Sequence, residues 1–418
     1  GLGDVYKRQY NTYVKDKHYV ATSFVPKEQK ALALTDSELA NVVEEPIVDG
    51  AEESFDASLV AEYEKTPSSF DRSIEPPYGE SPDVNVPDVW KEELSSGLGL
   101  FGIENNEVPL VQFELQLEGG MLLENPDKIG VSNLLADLMT KGTATKTTEE
   151  LESAIETLGA TINAFATKES IIVSGNTLAK NYSKTMDLVQ EILLEPRWDA
   201  KEFDLLKQSA LAQLVRQKAQ PNSIAGNQFD KLIYGDNHIL SHDNLGTEAS
   251  VNAITIDDLK AYYNSYISPS VTNFHVVGAI SKDEVINSMA GLNDNWTQKT
   301  VEFPSITDPA IPEASKVYFY DLPGAKQSEI RFGYPALSAT DTDFYPASLL
   351  NYRLGGGSFA SQLTQQLREG KGYTYGIRSR FSGSTKKGPF TISSGVRSNV
   401  TYESVSYTHL RAHETDSY

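Results

Sequence analysis

Between residues 89 and 298 the apolar residues change their spacing in a fixed order, and that order constrains the fold more than any single motif. Val108 to Leu117 alternates apolar and polar residues, as a half-buried strand does, and Gly119-Gly120 breaks it. Val131, Leu134, Leu135 and Leu138 then recur at helical spacing between Gly130 and Met139. Thr148-Glu149-Glu150-Leu151 opens a further helix, with Thr147 or Thr148 as its N-cap and Gly159 as its end. Ala160 to Ser174 reads as two strands, Tyr182 to Leu194 as a helix stopped by Pro196, and Asp199 to Gln220 as a long helix stopped by Pro221. Ile256 to Tyr266 gives one more helix and Asn273 to Gly278 a last strand. Strands grouped beside helices predict α+β layers, with helices on a mainly antiparallel sheet.

The order returns after residue 301. Lys316 to Asp321 and Glu329 to Tyr334 read as strands. Asp343 to Leu354 and Phe359 to Arg368 read as helices around Gly355-Gly356-Gly357, and Tyr373 to Phe381 and Pro389 to Val396 as strands. This echo predicts two homologous-looking domains, 89–298 and 301–405, the second cut short near Val405. Ahead of them, residues 10–45 are mixed, with Tyr19 to Val25 read as a strand and Asp36 to Val43 as a short acidic helix. Residues 46–88, rich in Pro, Ser, Asp and Glu, read as a linker. Gly1 to Gln9 and Ser406 to Tyr418 resemble translated adaptor sequence at the edges of metagenomic reads. On that reading the natural protein continues past both ends, and the absence of a leader carries no meaning.

Composition removes several functions. The formal net charge of −22 argues against a general nucleic-acid binder, which meets phosphates with a basic face. The absence of cysteine excludes disulfides, thiolate zinc sites and a cysteine nucleophile. No apolar run approaches the ~20 residues of a membrane helix. His409 and His413 have metal-like spacing but fall in the adaptor-like tail. His238 and His242 lie among turn formers with no Glu between them, which favours a surface loop over a metal site. His18 and His275 are isolated in strand-like contexts. Gly355-Gly356-Gly357-Ser358 lacks the phosphate-loop pattern, and no nucleophile elbow is present.

GVSNLLADLMTKGT, Gly130 to Thr143, resembles the signature helix of the insulinase/pitrilysin family of zinc peptidases. TTEELESAIETLGATINAFATKES, LGTEASVNAITIDDLKAYYNSYISPS and NYRLGGGSFASQLTQQLREGKGYTYGIRSRFSG are similar to later family segments. Residues 10–88 resemble the end of a catalytic first half plus the linker of large fused members. The family's H-x-x-E-H motif supplies two zinc-binding histidines on one helical face and a glutamate that polarises water. Here those positions hold Asn133, Ala136 and Asp137, and the register of the third ligand falls near Gln213. Neutral Asn, Ala and Gln with one Asp make no tight catalytic zinc site, and Ala136 cannot act as a base.

Arg368 and Tyr375 match the family's Arg/Tyr pair, which the resemblance implies reaches the active site of a zinc-bearing half to bind substrate or stabilise an oxyanion. The bland alternative is a structural Arg at a helix end and a buried Tyr. The expectation is therefore a non-catalytic half of an insulinase-like, processing-peptidase-like enzyme that closes a chamber around peptide. It carries no cofactor of its own, and zinc is expected in its partner half. That half is either upstream in the same chain or a separate subunit. Asn163, Ala164 and Phe165 on an edge strand and the glycine loop are expected to bind substrate, the strand by β-augmentation. The resemblance favours a periplasmic or secreted location in a bacterium. The rival is an inert peptide-binding or scaffold protein, without an upstream or neighbouring zinc half. A third reading, an active metallopeptidase, predicts zinc bound after purification.

Overall fold

The computed structural model describes residues 2–23, 25–26, 29–39, 70–71, 74, 77, 79–80, 83 and 86–414. Two compact units make up the chain, Gly1–Asp83 and Val84–Tyr418. The first contains helix α1 (Leu2–Tyr13) and a 3-10 turn, Lys30–Leu32. The strand expected at Tyr19 to Val25 is absent among its described residues: Tyr19 and Val20 are 86% and 93% exposed, with no ladder to hold them extended. The acidic helix expected from Asp36 is not formed over residues 36–39. Asp36 adopts φ 62°, outside the right-handed helical region. The rest of that helix, and most of the expected linker, lie outside the described residues.

The second unit is built on two sheets. The larger has six strands: β1 (Trp90–Glu93), β2 (Gly99–Glu104), β3 (Leu110–Glu118), β4 (Thr161–Ala166), β5 (Ser170–Leu178) and β6 (Thr272–Gly278). Their order is β1-β2-β6-β3-β5-β4, antiparallel except for the parallel pair β2–β6. Val111, Phe113, Leu115 and Leu117 alternate into the core along β3, as their spacing predicts. They pack with α2 (Val131–Met139), α3 (Thr148–Thr157), α4 (Tyr182–Leu194), α5 (Ala200–Lys218), α7 (Glu248–Ala253) and α8 (Ile256–Tyr266) in one continuous apolar cluster. A capping box between Thr147 and Glu150 starts α3.

Pro221 ends α5 as expected, but it also opens a helix the apolar spacing did not reveal, α6 (Pro221–Tyr234). A proline has no N–H to lose at a helix's first position, so the same residue serves as stop and start. Short helices α9 (Lys282–Ser288) and α10 (Ala290–Asn295) complete this part.

The smaller sheet has the order β7-β9-β8, all antiparallel, from β7 (Gln327–Pro335), β8 (Thr374–Phe381) and β9 (Pro389–Arg397). It repeats the β3-β5-β4 arrangement of the larger sheet, strand for strand in chain order, with helices inserted at the same point. Its core is Leu363, Leu367, Ile377, Phe390 and Ile392. The helices are α11 (Phe344–Asn351), α12 (Gln362–Thr364) and α13 (Thr401–Glu414). The strand expected at Lys316 to Asp321 is not formed. Val317 and Phe319 are β-prone but 89% and 87% exposed, and strand propensity without a facing strand builds no ladder. α6 crosses β7: Arg331 donates to the Asn222 carbonyl at 3.4 Å, and a Cβ on Gly333 would lie 2.7 Å from the Phe229 ring. Among the described residues no helix is long and apolar enough to cross a membrane.

Candidate functional site

The motif helix α2 begins at Gly130, whose φ of 113° suits glycine alone and which has no side chain to cap the helix. Glu124 does the capping from outside. Its Oε2 accepts the Gly130 N–H at 2.7 Å and its Oε1 the Ser132 N–H at 2.6 Å. Burial pushes its carboxyl up to about 7, against those hydrogen bonds. The residue reading did not single out Glu124. The available signal was a glycine at the N-cap, which obliges an acceptor to come from elsewhere.

Asn133 and Asp137 stand one turn apart, half-buried; Ala136 between them is fully buried in the core. Burial raises the Asp137 carboxyl, with Lys141 opposing. Gln213 is exposed on α5. Asn133 and Gln213 are neutral, Ala136 has no ligating atom, and Asp137 is destabilised as an anion. This donor set does not fit a zinc ion, and no group of three or more His, Asp or Glu able to hold a metal occurs among the described residues.

His238 and His242 flank a 3-10 turn, Ile239–Ser241, so they do not share one α-helical face. His238 accepts the Leu240 N–H at 3.1 Å and lies 2.9 Å from the Thr307 carbonyl. His275 stacks on Phe101 in the interior strand β6. His409 and His413 lie on α13 beyond the described side chains.

β4 is joined to β5 alone, which makes it an edge strand. Asn163 and Phe165 face outward and Ala164 packs toward the core. The glycine loop is engaged inside the chain. A Cβ on Gly355 would lie 2.9 Å from the Ser379 nitrogen, and one on Gly357 2.5 Å from the Tyr352 carbonyl. Only Gly356 of the three is exposed. The two helices expected around this loop are irregular. π-helical turns occupy Tyr352–Gly356 and Gln365–Gly370, a distortion that recurs at functional sites.

Arg368 rides on the second π-helical turn. Its guanidinium lies 4.5 Å from the Phe359 ring centroid, and Nε is 3.4 Å from Glu369. Gly372 N–H donates to the Arg368 carbonyl at 3.0 Å, so the chain folds back and β8 starts beside it. Tyr375 is 85% exposed, not buried as a structural tyrosine would be. The cause is a bulge: register shifts between Thr374 and Ile377, both of which face inward, and leaves Tyr375 and Gly376 outside. Thr374 Oγ1 pins it, accepting from Gly376 N–H at 3.0 Å and from Ser394 Oγ at 2.9 Å and lying 2.7 Å from the Gly395 carbonyl. Thr374→Val should therefore cost about 1–3 kcal/mol in urea unfolding, since the buried bulge groups lose their shared partner; a change under about 0.5 kcal/mol would show that the bulge holds without it.

Two family models match the chain: one described as Insulinase (Peptidase family M16) over residues 101–242, and one described as Peptidase M16 inactive domain over 253–410. The chain belongs to the M16 insulinase family. A Bacillus subtilis protein described as the uncharacterized zinc protease YmxG is 27% identical, over 71% of this chain and 71% of its own length. A Helicobacter pylori relative described as the non-peptidase homolog YmxG is 23% identical, over 67% and 64%. The crystal structure of a peptidase M16 inactive domain from Pseudomonas fluorescens shares the fold, with TM-score 0.72 and 24% identity over 78% of this chain and 79% of that one. The model matched over 253–410 is described as an inactive domain, and the motif positions Asn133, Ala136 and Asp137 in the other matched segment hold neither histidine nor glutamate.

Proposed function

We propose that the protein is the non-catalytic half of an M16 peptidase, closing the chamber on a zinc-bearing half and presenting Arg368 and Tyr375 to the peptide held there. The observation that carries this reading is the contrast between the two sites. The metal positions hold Asn133, Ala136, Asp137 and Gln213, while a pinned bulge keeps Tyr375 in solvent and the Arg368 guanidinium is held on the Phe359 ring. A tyrosine turned outward by a bulge that the neighbouring Thr374 pins makes little sense for packing. It makes sense for a phenol donating a hydrogen bond where negative charge develops, with Arg368 supplying a charged one. The half runs as two domains that meet near residue 300, and edge strand β4 and the exposed Gly356 contribute peptide contacts. Zinc belongs to the partner half. The family resemblance favours the periplasm or the exterior of a bacterial cell.

The test is peptide hydrolysis by the chain assembled with its zinc-bearing half. Arg368→Ala and Tyr375→Phe are each expected to lower kcat/KM roughly 10- to 100-fold without changing zinc content. Rates within about threefold of wild type in both variants would leave the chain a scaffold.

A further inference from the structure

One face of the smaller sheet carries more arginine than acid: Arg331 acts on the nearby Glu329 carboxyl, and Arg378 and Arg380 follow on the next strand but one. Along β8, Ile377 and Ser379 turn into the core, while Tyr375, Arg378 and Arg380 are exposed on the opposite face. The register aligns Arg331 on β7, Ser393 on β9 and Arg378 on β8 in one row across that face. The sequence holds 58 acidic residues against 36 basic ones. Yet among the described residues no carboxylate lies within ion-pair distance of Arg331, Arg378 or Arg380. Arg331 is only half held. One of its terminal nitrogens donates to Asn222 on α6, but its Nε is buried with no acceptor. The acid on this face, Glu329, sits one row nearer Tyr375 with its carboxyl over Gly395.

Residues two apart on a strand face are roughly 7 Å apart, so Arg378 and Arg380 repel each other unless an anion lies between or above them. A chain with excess acid that leaves Arg378 and Arg380 without a paired carboxylate among the described residues has a face suited to an external one, which an arginine fork grips through two parallel hydrogen bonds. The spacing matches alternate side chains of an extended peptide. Ser393, between Arg331 and Arg378, is small, whereas Gly395 is covered by the Glu329 carboxyl.

We propose that Arg378 and Arg380, with Arg331 across Ser393, form a subsite for extended polypeptide segments bearing Asp or Glu side chains. The proposal rests on the reading of Tyr375 above. Arg378 and Arg380 lie about 10 and 17 Å along β8 from Tyr375, which sets the preferred acidic residues about three to five positions from the cleaved bond.

The test uses this chain and a fluorescein-labelled ten-residue peptide with Glu at two alternate positions, against the same peptide with Gln, read by fluorescence anisotropy. The Glu peptide should bind about tenfold more tightly at low salt, and the preference should fade by 0.5 M salt, where charges are screened within a few ångströms. Arg378→Gln with Arg380→Gln should erase the preference and leave the Gln peptide's affinity unchanged. Tyr375→Phe should leave the preference intact, so loss of the assisting role and loss of the subsite read out separately. Equal affinity for the two peptides, or a preference that survives high salt or the double substitution, overturns the proposal. So does tripolyphosphate binding without any Glu-over-Gln preference, which would make the face an inorganic polyanion site.

Discussion

Ala136→Glu should destabilise the protein by about 3–5 kcal/mol and restore no hydrolysis. The substitution rebuilds the family's general base at its motif position, but the position has changed character. Ala136 is fully buried, with Leu134, Leu135, Leu138 and Met139 of the same helix in the same apolar cluster. A carboxylate there is overpacked and has no cation to pair with. Asn133→His and Asp137→His change half-buried positions and should each cost under about 1 kcal/mol. Urea unfolding of the three single variants separates the cases. A loss below about 1 kcal/mol for Ala136→Glu would mean that the motif face still opens to water.

The second large effect concerns pH. Glu124 caps α2 from a buried site and its carboxyl is raised to about 7. A carboxyl raised in the folded state contributes stability that is fully present below its unfolded value and lost as the pH climbs through the folded one. Stability from Glu124 therefore falls between about pH 4.5 and pH 8, by about 3 kcal/mol on the linkage relation. His242 acts in the other direction: burial discourages its protonation, so its contribution is lost as the pH falls below 6.5. Denaturation midpoints from pH 5 to 8 should fall in the wild type and flatten in Glu124→Gln, which should be the less stable protein at pH 5 and the more stable at pH 8. Parallel profiles for the two proteins would place the loss of stability with rising pH elsewhere.

The sequence was most readable where a local rule and the tertiary fold agree. β3 followed its alternation, Thr147, one of the two expected N-caps, capped α3, and α4 and α8 ran between the expected residues. Misreadings occurred where the deciding partner is distant. Val317 to Tyr320 has strand chemistry but no ladder, and no local pattern reports that. Pro221 was legible as a stop and not as a start, because the helix after it has a weak apolar face and no fully buried residue. At the site, Asn133, Ala136 and Asp137 could be placed by motif, but the burial of Ala136 could not. Tyr375 could be placed by spacing; its outward turn depends on Ser394, nineteen residues on, and on the carbonyl of Gly395. Arg378 and Arg380 went unremarked, though alternate arginines following a marked tyrosine were visible in YTYGIRSRF.

The place of β6 in the larger sheet also bears on how the chain is made. β6 lies between β2 and β3, yet more than 150 residues separate it from β3, and it falls within the stretch matched by the inactive-domain model. As the polypeptide leaves the ribosome, β2 and β3 emerge early and have no shared neighbour until residue 278 is out. Closure of such a distant pair is slow and leaves two apolar strand edges open to a chaperone in the interval. A cut between the two matched segments, near residue 250, divides the protein at its most conspicuous sequence boundary and removes the middle of its main sheet.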